Sequence, residues 1–204
     1  MKLPIQSKDH PRAWQRMLSG RRLDLLNPNP TDIEINDIAY GLARLSRWNG
    51  QTVGEYPLSV AQHSVIVEEV FSILEPAASK QACLVALLHD AAEYVIGDLI
   101  SPFKAALGSD YKSIEIRLLS AIHIRFKLPK HPSNEVGNLI KKADNITAFY
   151  EATCLAGFST LEARRIFKLP DYVPLAITKL LTKLEACSTT MAQKKFLQKF
   201  QELT

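Results

Sequence analysis

Leu84-Val85-Ala86-Leu87-Leu88-His89-Asp90 is an apolar run that ends on two polar side chains able to bind a metal. From Cys83 to Leu88 the run is apolar on every side, which marks the central helix of an α-helical domain. An imidazole and a carboxylate at the end of such a helix are costly to desolvate unless something compensates. A divalent cation does so for both, because it accepts a neutral imidazole and neutralises a carboxylate.

Working outward from this run, the spacing predicts helix after helix. The run itself belongs to a helix over 79–95, with Gly97 as its C-terminal stop. Upstream, Ser59-Val60-Ala61-Gln62 has the form of a capping box, so a helix begins near 60 and ends at Pro76. Val60, Val67, Val70 and Leu74 mark its inner face. Ile38, Leu42 and Leu45 fall at i, i+4 and i+7, which predicts an earlier helix ending at Asn49-Gly50. Downstream, helices are predicted over 109–126 and 133–156, the latter with Leu139, Ala143, Ile146 and Tyr150 inward. A second capping box, Ser159-Thr160-Leu161-Glu162, opens another, and two more follow over 173–187 and 189–203. The first thirty or so residues are turn-rich, punctuated by Pro4, Pro11, Pro28 and Pro30. Strand signals are almost absent: no β-branched run alternates convincingly and no Asn-Gly or Asp-Gly hairpin lies between such runs. The expectation is one all-α helical bundle spanning residues 1–204 with a turn-rich N-terminal segment.

Bulk properties narrow the function. A length of 204 residues suits one good-sized domain, and 47% hydrophobic with 23% charged residues excludes a disordered chain. A net charge of +4 is too small to indicate a nucleic-acid polymer as partner. Cys83, Cys154 and Cys187 form no C-x-x-C pair and read as reduced cysteines of a cytoplasmic protein. Met1 to Ile5 contain no continuous apolar stretch and do not read as a secretory signal. No apolar segment approaches membrane-spanning length, so no membrane partner is expected.

Several side chains could complete a site around His89 and Asp90. His63 falls on the inner face of the helix that Ser59 caps; alone it would read as a core histidine bonded to a carbonyl. Asp144 flanks the apolar stripe of the long helix, where it would bind a cation or pair with Lys141, Lys142 or an arginine. Together, His63, His89, Asp90 and Asp144 make a set of two nitrogens and two carboxylates on three helices. Such a set balances a divalent charge and leaves positions open for solvent, as hydrolytic metal sites require. Glu93 lies four residues after His89 on the same face, and Asp98 follows just past Gly97. Either could move protons beside the ion, or both could be surface carboxylates at a helix end.

The pattern H…HD…D of His63, His89–Asp90 and Asp144 resembles the HD-domain superfamily of metal-dependent phosphohydrolases. The stretch Leu-Leu-His-Asp-Ala-Ala-Glu-Tyr-Val-Ile-Gly-Asp-Leu-Ile-Ser-Pro-Phe-Lys (87–104) resembles its nucleotidase branch, which includes the bacterial 5′-deoxynucleotidases. That branch has H-D-x-x-E-x-x-x-x-D followed by a proline and a lysine. Arg47-Trp48 and Ser-Val-Ala-Gln-His-Ser (59–64) fit the same branch, and phage HD enzymes that hydrolyse deoxynucleoside triphosphates carry similar stretches. The likeness covers about 37–155 and is weaker before 35 and after 160.

The resemblance implies an HD-type bundle in which His63, His89, Asp90 and Asp144 bind one divalent ion. Mn²⁺, Co²⁺, Fe²⁺, Zn²⁺ and Mg²⁺ are the candidates. A second histidine pair, found in HD families with two ions, is lacking. It also implies that Glu93 and Asp98 assist proton transfer, that Arg47 and Trp48 contact a nucleotide's sugar or phosphate, and that Lys104 contacts the phosphate. Without the motif, Trp48 would read as core and Arg47 and Lys104 as solvated. The implied activity is removal of the 5′-phosphate of deoxynucleoside monophosphates. The alternatives are a dNTP triphosphohydrolase and a non-catalytic nucleotide- or metal-binding module. The apolar positions of the last helices could close the core or form a homodimer face, and related enzymes are often dimeric.

Overall fold

A computed structural model describes residues 13–204; Pro4 and Pro11, and the stretch read for a secretory signal, lie outside the described residues. The architecture is all-α apart from one small hairpin. Strands β1 (Trp14–Arg16) and β2 (Arg22–Asp24) pair antiparallel, with Gln15 opposite Leu23. This hairpin lies within the turn-rich N-terminal segment, and its strands gave no signal in the sequence. Three residues per strand are too few to show alternation, and Leu23 alone reaches the core. The side chain of Asp37 accepts the Ser19 amide and hydroxyl and so ties the hairpin to α1 (Ile35–Arg44).

Helix α1 buries Ile38, Ala39, Leu42 and Ala43, the face its spacing predicted. It ends at Arg44 rather than at Asn49-Gly50, because an isolated antiparallel bridge joins Ser46 to Ser59. Arg47–Gly50 forms a separate 3₁₀ turn, pinned by the Arg47 amide donating to the Leu58 carbonyl at 2.8 Å. α2 (Val60–Leu74) begins where Ser59 was expected to cap it. Only half of that capping box forms. The Ser59 hydroxyl accepts the Gln62 amide, but the Gln62 side chain instead bridges the Glu185 carbonyl and the Cys187 amide. Every α2 residue from Val60 to Glu68 is buried, so α2, packed against α1, α3, α7 and α10, shares the centre of the domain with the apolar run of α3.

The helix predicted over 79–95 is broken. α3 (Lys80–Leu87) stops before His89, residues 88–92 form turns, and α4 (Glu93–Ile96) resumes up to Gly97. The Ala86 carbonyl, which would take the Asp90 amide in a continuing helix, lies 2.9 Å from the His89 Nδ1 instead. Apolar periodicity does not register such a local competition. Beyond Gly97, which has φ 83°, a short α5 (Ser101–Leu107) precedes α6 (Ser109–Arg125).

α7 (Asn134–Cys154), α8 (Thr160–Ile166), α9 (Leu175–Leu181) and α10 (Thr189–Leu203) complete the fold. The Ser159–Glu162 capping box forms in full, whereas α9 is shorter than predicted. Ala192 and Phe196 of α10 are fully buried, so the last helix closes the core. No helix among the described residues is long and apolar enough to cross a membrane.

The position of α4 depends on a glycine. A Cβ at Gly41 of α1 would meet the Tyr94 Cβ at 2.9 Å and the Tyr94 carbonyl oxygen at 3.0 Å. Gly41→Ala should therefore lower the unfolding free energy in urea by roughly 1–3 kcal/mol, the ordinary cost of overpacking.

Candidate active site

His63 sits in the first turn of α2, fully buried. Its Nδ1 lies 2.6 Å from Glu151 Oε1 on α7, while its Nε2 has no hydrogen-bond partner. Burial and the charge of Arg47 push the imidazole pKa down, but Glu151 and Asp144 outweigh them and lift it to about 9.

His89 presents the same arrangement from another element. With Nδ1 on the Ala86 carbonyl, its Nε2 is buried and without a hydrogen-bond partner. The two rings approach to 5.3 Å between centroids. Asp90 Oδ2 lies 3.1 Å from His89 Nε2 and 3.6 Å from His63 Nε2. Asp144 Oδ1 is 3.3 Å from His63 Nε2, so Asp144 pairs with the histidine, while Lys141 and Lys142 are exposed. Burial would raise both aspartates, yet His89, His63 and Arg47 hold Asp90 well below the usual range, and His63 holds Asp144 below it.

Two buried imidazole nitrogens that make no hydrogen bond, each facing carboxylate oxygens, suit a cation. His63, His89 and Asp90 offer ligand atoms within 4.8 Å of one another, and Asp144 borders that trio. The Nδ1 contacts to Glu151 and Ala86 are of the kind that orient histidines where they bind a metal.

A cavity of about 460 Å³ opens beside this cluster. Asp90, Asp144, Glu93, Asp98, Arg47 and Lys104 supply its charged lining. Trp48, Phe158, Ile166, Phe167, Leu99 and Ala148 are among its apolar walls. All nine residues singled out from the sequence thus gather in one region: seven line the cavity, and His63 and His89 stand behind Asp90.

The details differ from the sequence expectations. Glu93 is buried, not a surface carboxylate: Oε1 accepts from Lys104 at 2.8 Å and Oε2 has no hydrogen-bond partner. Burial, then Asp90 and Asp98, push Glu93 up to about 8 against the pull of Lys104. Asp98 is raised in the same way, by burial and by Asp90. Lys104 is therefore not simply solvated; it bridges Glu93 and, at 3.5 Å, Glu115.

Arg47 is not solvated either. Its Nε donates to Glu151 at 2.9 Å, and Nη1 lies 3.8 Å from Asp90. Trp48 and Asn49 both adopt left-handed backbone, φ 57° and 51°, which is uncommon for a bulky residue. The conformation is secured by the Trp48 Nε1 bond to Glu151 at 3.1 Å and by ring contacts with Phe158 and Phe167.

The family model for 5′-deoxynucleotidase YfbR-like proteins matches residues 40–155, which span every charged residue of this site. The chain belongs to this family. An uncharacterised protein of Rhodobacter capsulatus is 56% identical over 162 residues, covering 79% of this chain and 83% of the relative. The uncharacterised protein YfdR of Escherichia coli K12 is 32% identical over 124 residues, 61% of this chain and 64% of its own length. The family match ends just after Glu151, the site residue that the sequence reading missed. A signal for it was present: Glu151 follows Asp144 by seven residues, two helical turns, and so lies on the same face of α7.

Glu151 makes the acid limb of stability testable. Burial would raise its pKa, but Arg47, His63 and Trp48 together lower it from 4.5 to about 2. The stabilisation that comes from its charge is complete above about pH 4.5 and is lost as pH falls through about 2. In metal-free protein, the stability gap between wild type and Glu151→Gln should narrow across that window in denaturant titrations.

Proposed function

We propose that this chain is a metal-dependent phosphohydrolase that removes the 5′-phosphate from deoxynucleoside monophosphates. The observation that carries the proposal is the pair of unpartnered imidazole nitrogens, His63 Nε2 and His89 Nε2, facing Asp90 and Asp144 beside the cavity. These four residues would hold one divalent cation. Such an ion, when bound, supplies Lewis acidity toward a phosphate oxygen and a nucleophile at neutral pH.

The remaining chemistry belongs to side chains of the chain. Glu93, with a pKa near 8, keeps a proton at neutral pH that it can give to the leaving 5′-oxygen. Oε2 is the atom free to carry that proton, since Lys104 occupies Oε1. Asp98, at the same wall, orients the attacking water. Arg47 and Lys104 face the phosphate from the protein side, and Trp48, Phe158 and Phe167 form an apolar surface for the sugar and base.

Charge balance favours a monophosphate over a triphosphate. With Glu93 holding its proton, the cavity lining carries the charges of Asp90, Asp98 and Asp144 against Arg47 and Lys104. A divalent cation turns that lining net positive by one charge and admits a phosphate dianion. A triphosphate would bring further negative charge with no additional cation among the described lining residues to meet it.

Protein supplied with Mn²⁺, Co²⁺ or Mg²⁺ should release inorganic phosphate from dNMPs, identified by ion chromatography. Release of triphosphate from dNTPs, or no turnover of any nucleotide, would sink the assignment. Asp90→Asn should lose metal in an elemental assay. Glu93→Gln should keep it while turnover falls by about 10²–10⁴-fold, the usual contribution of a general acid. In the wild type, turnover should decline as pH rises past about 8, where Glu93 gives up its proton.

A further inference from the structure

Glu151 is fully buried, touches none of the cavity, and its two oxygens serve different partners. Oε1 meets His63 Nδ1 at 2.6 Å; Oε2 accepts from Arg47 Nε at 2.9 Å and Trp48 Nε1 at 3.1 Å. An ionised carboxylate can only accept hydrogen bonds. It therefore keeps a hydrogen on His63 Nδ1 and leaves Nε2 as the nitrogen that faces Asp90 and Asp144. The other oxygen holds the Arg47 fork, whose Nη1 reaches toward Asp90, and the indole that borders the cavity.

We propose that Glu151 is the positioning residue that aligns both halves of the site at once, setting the His63 tautomer for the cation and anchoring Arg47 and Trp48 for the nucleotide. The inference rests on the reading above that His63 binds the cation.

The chemistry of an amide supplies the test. A glutamine at 151 offers one acceptor and one donor where the carboxylate offers two acceptors. Arg47 Nε and Trp48 Nε1 can only donate, so the amide oxygen stays with them and its NH₂ turns toward His63 Nδ1. Nδ1 must then accept, its hydrogen moves to Nε2, and the lone pair that would meet the ion is lost. A substitution that preserves shape thus reverses the imidazole.

Mn²⁺ titrated by calorimetry into metal-free wild type, Glu151→Gln and Glu93→Gln separates these roles. Glu151→Gln should bind Mn²⁺ about 10–100-fold more weakly, the usual cost of losing an outer partner, with Glu93→Gln unchanged. Long-range ¹H–¹⁵N spectra of Zn²⁺-loaded wild type should show His63 protonated on Nδ1 and metal-bound through Nε2. Should Glu151→Gln not fold, this spectrum decides alone. Binding by Glu151→Gln within about threefold of wild type, well short of the usual loss, overturns the inference, as does metal on His63 Nδ1. If wild type itself takes up no Mn²⁺, the cation site falls, and the role of Glu151 with it.

Discussion

The hydrogen bond between His63 and Glu151 joins α2 to α7 at a point from which water is excluded, and the site is built around it. Burying a carboxylate, a guanidinium and an imidazole together is expensive, and only well-placed mutual bonds offset the desolvation. Glu151 receives three donors, from His63, Arg47 and Trp48, which is enough to keep it ionised deep in the domain. Each of those donors comes from a segment that also borders the cluster of His63, His89 and Asp90 or the cavity. The network that solves a burial problem is thereby the network that orients the site.

The backbone is irregular in two places that matter for the site. Trp48 and Asn49 stand in left-handed conformations of order 1–3 kcal/mol each, held by Glu151 and by aromatic packing. Residues 88–92 leave the helix so that His89 and Asp90 can face the same point as His63. A regular helix would aim those two adjacent side chains about 100° apart.

Acidic side chains three residues apart are driven in opposite directions. Asp90, beside two imidazoles and Arg47, is held ionised, whereas Glu93, enclosed and beside Asp90, is pushed up to about 8. Environment alone thus separates the two carboxyl groups, leaving one holding charge and the other holding a proton. Lys104 moderates the second group without cancelling its burial.

Much of this was legible in the chain. Ser59, Ser133 and Ser159 announce their helices because capping acts within a single turn, and the H…HD…D pattern singled out four residues that the fold brings together. The burial of Val60, Val67 and Val70 likewise follows from spacing alone. Tertiary structure alone decided that Glu151 meets His63, that Lys104 meets Glu93, and that α3 breaks where the His89 ring takes the Ala86 carbonyl. The physical reason is range. Capping and periodicity are set by neighbours a few residues apart, whereas the partner of a buried charge is chosen by whichever helix packs against it, here 88 residues further along the chain.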